Sequence, residues 1–151
     1  MKVAILTALR PYRPVAALAC LALLASCAQL PPSSDSCDFG DLAIRTDFST
    51  ARASGCRRAG ADEIVVRIAP EAADINPSPW YAFRIESAAP RELRMRLEYQ
   101  GAKHRYSPFV SADGLVWRAL DRGSVSVQPD GSALLRLDLQ RGSTFVAARE
   151  P

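Results

Sequence analysis

A two-residue alternation of apolar and charged side chains is the strongest constraint this sequence carries. Leu93, Met95, Leu97 and Tyr99 alternate with Arg94, Arg96 and Glu98, so an extended chain would present one apolar face and one charged face. Tyr81, Phe83 and Ile85 alternate in the same way with Ala82, Arg84 and Glu86, and Ala133, Leu135, Leu137 and Leu139 with Leu134, Arg136 and Asp138. Residues 63–68 are a run rich in β-branched side chains, and residues 143–148 have the composition of a closing strand. No segment keeps an apolar stripe at helical spacing through three turns.

Turn chemistry falls between these runs. Asp113-Gly114 separates Phe109-Val110 from Leu115-Val116-Trp117, a hairpin signal. Pro129-Asp130-Gly131 separates residues 124–127 from the Leu-rich run, and Arg141-Gly142 precedes the last one. The predicted fold is all-β: an antiparallel β-sandwich of about eight strands, of Greek-key type. A length of 151 residues suits one such domain. With 48% hydrophobic and 23% charged residues the chain is too apolar for a disordered segment. The absence of repeats, sustained heptads and runs of about 20 apolar residues excludes collagen, coiled coil and polytopic membrane protein.

The first 26 residues have a different character. Lys2, Arg10 and Arg13 are their only charges, and residues 15–26 form an uncharged apolar run. That run is too short to span a bilayer, which takes about 20 residues. It fits the core of an export signal, and a core helix would not explain the small residues at its end. Leu24-Ala25-Ser26-Cys27 resembles the lipobox of bacterial lipoproteins, which implies a lipidated Cys27 as the new N-terminus. Ala28 follows in place of an Asp, which by the same resemblance favours the outer membrane, facing the periplasm of the cell envelope. Residues 27–40, with Pro31-Pro32-Ser33-Ser34, form the lipidated Cys and a flexible tether, and residues 41–151 form the sandwich. Lys2, Arg10 and Arg13 account for the whole excess of 19 basic over 16 acidic side chains. The exported part is therefore formally neutral, and no nucleic-acid partner is expected.

Removing the signal also removes Cys20. With Cys27 taken by lipid, Cys37 and Cys56 remain, and two thiols in an exported chain are expected to pair. A metal site from them lacks both C-x-x-C spacing and a nearby His. The sequence holds one histidine, His104, with no identifiable nucleophile or metal partner, which points to a surface residue. No catalytic residue, metal ligand or cofactor is assigned to this chain. Trp117, after the Asp-Gly turn, is expected to fold back over its strand pair. Trp80 would point away from the face of Tyr81 and Phe83, towards an edge or an interface. Trp80 and Trp117 with flanking Arg84 and Arg118 form the candidate interface.

Several stretches, in order, resemble a known family. They are Asp47-Phe48-Ser49, Ile64 to Ile68, Pro79-Trp80-Tyr81-Ala82-Phe83-Arg84-Ile85, Tyr106-Ser107-Pro108 leading into Ser111 to Trp117, and Phe145 to Pro151. Together they are similar to the N-terminal β-sandwich domain of zinc carboxypeptidases of the cytosolic type, over residues 41–151. The resemblance implies an accessory role beside a catalytic α/β domain, present in cis or in trans, which would carry the zinc. That domain's H-x-x-E pair and later His are not matched here, since His104 is followed by Arg105-Tyr106-Ser107. The expectation is a lipid-anchored module that braces or shapes substrate access for such a domain. The alternatives are a free-standing carbohydrate- or peptidoglycan-binding sandwich using Trp117, and a structural lipoprotein pairing through a sheet edge.

Overall fold

A computed structural model of the chain describes residues 35–76 and 78–149. The expected export signal and the expected lipidation at Cys27 lie outside the described residues. Within them the chain forms eleven strands: β1 Cys37–Asp38, β2 Leu42–Arg45, β3 Cys56–Gly60, β4 Glu63–Ile68, β5 Ala82–Ser87, β6 Arg91–Tyr99, β7 Phe109–Ser111, β8 Arg118–Ala119, β9 Val125–Val127, β10 Ala133–Leu139 and β11 Gly142–Ala147. A single 3₁₀ turn, Arg122–Ser124, stands before β9. The all-β expectation holds, with more and shorter strands than the eight expected.

Two sheets result, in the orders β1-β2-β5-β11-β7-β8 and β3-β4-β6-β10-β9. The hairpins β1–β2, β3–β4, β7–β8 and β9–β10 each stay within one sheet, and the remaining connections cross from one sheet to the other. The sandwich is antiparallel as expected in every strand pair but one. The chain leaves β4 for β5 in the opposite sheet and returns as β6, reversing direction twice, so β4 and β6 pair in parallel, Glu63 opposite Arg94 and Ile68 opposite Tyr99.

The alternating runs place their apolar sets between the sheets. Leu93, Met95 and Leu97 of β6, Ala133, Leu135, Leu137 and Leu139 of β10, and Ile64, Val66 and Ile68 of β4 line the inner face of one sheet; Leu42, Ile44, Phe83, Ile85 and Val146 line the other. Each fully buried Leu, Ile or Phe contributes about 1.5–3 kcal/mol relative to exposure. Cys37 and Cys56 form the expected disulfide, with their Cα atoms 6.0 Å apart. It joins β1, an edge of one sheet, to β3, an edge of the other.

The two outer faces differ in chemistry. On the β4-β6-β10 sheet the outward residues are mostly charged, around Val65 and Leu134, and partly paired, Arg94 to Glu63 at 3.2 Å and Arg57 to Glu98 at 3.0 Å. Such exposed pairs are worth only about 0–1 kcal/mol each and keep the face wet. On the β2-β5-β11 sheet the outward residues include Ala43, Ala82, Ala147 and Phe145. That face carries the candidate site.

Candidate functional site

Phe145 is the centre of an aromatic cluster on this outer face. In β11 it lies opposite Arg84 of β5 on one side and Ser111 of β7 on the other. Phe48, from the loop after β2, meets it edge-on with ring centroids 5.5 Å apart, and Trp117 does so from the other side at 6.4 Å, both with an interplanar angle of 71°. The Arg84 guanidinium lies 5.9 Å from the Phe145 ring centre, within cation–π range. Arg84 is also fixed by Asp47 at 3.1 Å and Glu86 at 3.0 Å, and Glu86 in turn holds Arg45 at 3.0 Å. A row of paired charges thus runs beside the rings.

The 111–117 segment is built by side-chain to backbone bonds. Asp113 Oδ1 accepts from the backbone N–H groups of Leu115 and Val116 at 2.8 and 2.9 Å and from Ser111 Oγ at 2.9 Å, and Ser111 Oγ accepts from Gly114 N–H at 2.9 Å. The backbone bonds from Val116 and Leu115, with that from Ser111, hold the Asp113 carboxyl below its ordinary pKa. Gly114 has φ +76°, and a Cβ there would come within 3.3 Å of the Phe145 ring, so the turn needs both the conformation and the bareness of glycine. This corrects the expectation of a strand at Leu115-Val116-Trp117. β7 pairs with β8, Phe109 opposite Ala119, and residues 112–117 form the connection. Leu115 and Val116 project from it, 83% and 75% exposed.

Trp80 lies further along the same face, where β5 begins. Its indole Nε1 donates to Glu71 Oε2 at 3.2 Å, and the Arg52 guanidinium lies 5.3 Å from its ring centre. It stands between two open cavities. One, of about 360 Å³, is lined by Ser49, Thr50, Trp80, Ala82, Ala147 and Arg149. The other, of about 610 Å³, is lined by Glu71, Ser78, Trp80, Arg105, Tyr106 and Arg149. There the Tyr106 hydroxyl and Ser78 Oγ are 3.1 Å apart, and Arg105 Nη2 donates to the Tyr106 oxygen at 3.3 Å. Burial would raise the Tyr106 pKa, but the bonds from Ser78 and Arg105 and the charges of Arg105 and Arg149 outweigh it and hold the phenol below its ordinary value.

Of the four candidate interface residues, the structure brings Arg84 and Trp117 together on Phe145. Trp80 is on the same face but beside its own cavities. Arg118 does not join them: in β8 it lies opposite Val110, whose side chain is in the core, so it faces the gap between the sheets near Asp138 and Thr144. The reason is strand parity, since neighbours along a strand point to opposite faces. Phe48 and Phe145 were visible in the sequence only as parts of longer motifs. The convergence of Arg105 and Arg149 had no local signal.

His104 is half-buried rather than a surface residue. Its Nδ1 is 2.7 Å from the Tyr99 hydroxyl, and its backbone N–H donates to Gly131 O at 2.8 Å. Burial lowers its pKa, outweighing a bond to the Tyr106 backbone. Among the described residues no three His, Cys, Asp or Glu side chains lie close enough together to hold a metal ion.

No protein-family model matches the chain, and no curated protein does. Among solved structures the chain is similar to a metallo-carboxypeptidase from Burkholderia cenocepacia, with a TM-score of 0.58 and 18% identity over 73% of this chain and 30% of that one. It is also similar to a protein assigned as a carboxypeptidase in Burkholderia mallei (TM-score 0.54, 19% identity, 73% and 29% of the two chains). A third, assigned as a carboxypeptidase A in Shewanella denitrificans, aligns with a TM-score of 0.56 at 20% identity over 72% and 29%. What is shared at these identities is the fold, and the chain spans about 30% of the length of those proteins.

Proposed function

We propose that this chain is a non-catalytic accessory module, acylated at Cys27 and held at the outer membrane facing the periplasm, that docks onto the catalytic domain of a metallo-carboxypeptidase in cis or in trans. The observation that supports this reading is the likeness of the sandwich to about 30% of the length of a bacterial metallo-carboxypeptidase and of a protein assigned as a carboxypeptidase. The face that carries Phe145 supports it, since Trp117 and the projecting Leu115 and Val116 lie there beside Arg84. Rings and arginine next to exposed aliphatics are the composition of the centre of a protein–protein interface. A disulfide between edge strands suits a chain folded outside the cytosol. In this role the zinc belongs to the partner, and the module shapes the approach of the peptide substrate.

The carbohydrate-binding alternative needs coplanar, exposed rings on which a sugar can lie. Phe48 and Trp117 each meet Phe145 at 71°, which makes no such platform. The test is a peptidase assay with zinc and peptides of varied C-terminal residue. The purified full chain is expected to release nothing alone. With the catalytic domain encoded in the same or an adjacent reading frame, it is expected to change that domain's kcat/KM. Chelator-sensitive release of C-terminal residues by the chain alone would overturn the reading.

A further inference from the structure

The two cavities flanking Trp80 differ in a way that specifies a ligand. The smaller is walled by Ala82, Ala147 and the Trp80 ring, with the Ser49-Thr50 segment at its side. It is a slot for an apolar group. The larger holds Arg105, Arg149, the Tyr106 and Ser78 hydroxyls and Glu71. Arg149 and Trp80 line both, so a molecule lying across Trp80 would have an apolar part on one side and a polar part on the other.

Charge decides what the polar part is. Glu71 is the carboxylate lining that half among the described residues, and its Oε2 already accepts from Trp80 Nε1 at 3.2 Å and from Asn76 Nδ2 at 2.7 Å. Against it stand Arg105 and Arg149, with Arg52 over the Trp80 ring. Among the described residues neither Arg105 nor Arg149 has a carboxylate partner; Arg105 spends its donors on the hydroxyls of Tyr106 and Ser78 at 3.3 and 3.5 Å. Guanidinium groups left without an acid at the mouth of a cavity are donors set for a planar anion. A compact inorganic anion would use the polar half and leave the apolar slot unfilled.

The geometry points to a two-part binding site centred on Trp80 for an organic carboxylate with an apolar side group, the carboxylate against Arg105 and Arg149 and the side group beside Trp80 over the floor formed by the paired Ala82 and Ala147. Such a ligand is either a small N-acylated apolar amino acid or the C-terminal residue of a peptide. The inference does not depend on the docking role: it concerns the chain alone, and the docking role could fail without affecting it.

The test follows the two tryptophan indole N–H signals of the full chain, purified in detergent, in a ¹⁵N-labelled spectrum. N-acetyl-phenylalanine is expected to shift the Trp80 signal saturably and leave Trp117 in place, with Arg149→Ala and Arg105→Ala each weakening binding at least about tenfold. N-acetyl-phenylalanine amide, which lacks the charge, is expected not to bind. A peptide ending in Phe separates the two sources: tighter binding than the small acid assigns the site to chain ends, and weaker binding to free acids. No saturable shift up to about 10 mM, equal binding of the amide, or equal binding of inorganic phosphate would overturn the proposal. An unmoved Trp117 signal in both variants reports that the fold is intact.

Discussion

His104 shows how one side chain can couple this fold to pH. The Tyr99 hydroxyl meets Nδ1 at 2.7 Å, while the buried Nε2 has no hydrogen-bond partner among the described residues. Protonation would place a charge where no acceptor meets it, and burial accordingly lowers the pKa below the ordinary 6.5. Below pH 6.5 the unfolded chain therefore takes up the proton before the folded one does. The stability is fully present above that pH and is lost as pH falls through it towards the folded value. The wild-type melting temperature is expected to fall between pH 7 and pH 5, and His104→Gln, which cannot titrate, to flatten that part of the profile. Equal slopes in the two proteins would contradict the assignment. Asp113 works in the opposite sense at lower pH. Its depressed pKa means that the bonds to Leu115 and Val116 persist until acid protonates the carboxylate, and the 111–117 turn loosens only then.

At the scale of elements, β1 and β3 are short edge strands in different sheets, joined by Cys37–Cys56 with a sequence separation of 19. Closing a loop of that size stabilises the fold by about 3 kcal/mol in the chain-entropy model. The double variant Cys37→Ala/Cys56→Ala is expected to lose about that much in denaturant unfolding; a loss below about 0.5 kcal/mol would show that the sheets hold their edges without the bridge. The strands β5, β6 and β10 were legible in the sequence because each has a buried inner face, and burial on one side imposes period two, while β4 and β11 showed in composition alone. Their pairing was not. Whether β4 and β6 lie parallel depends on the detour through β5, which no local pattern encodes. Leu115-Val116-Trp117 looked like a strand by composition, but the Asp113 carboxylate and the Ser111 hydroxyl capture the local N–H groups and take them out of any ladder. The site was half legible for the same reason. Trp117 and Arg84 could be singled out as residue types, whereas cross-strand register sets Arg84 beside Phe145 and the 111–117 turn brings Trp117 to it.

Over the whole molecule, the two outer faces divide the work. The β4-β6-β10 face presents ion pairs to water, and the β2-β5-β11 face presents the half-buried rings of Phe145 and Trp117. Ion pairs run along the β2-β5-β11 face as well, Arg45 and Arg84 with Glu86, but there they flank a cluster of rings, and an apolar patch rimmed by charge marks a surface that meets a partner. Hydrogen exchange of the full chain, with and without the catalytic domain proposed as its partner, tests that surface directly. Added protection is expected in β11 and the 111–117 turn, with β6 and β10 unchanged. Protection confined to β6 and β10, or none anywhere at saturating partner, would contradict the account.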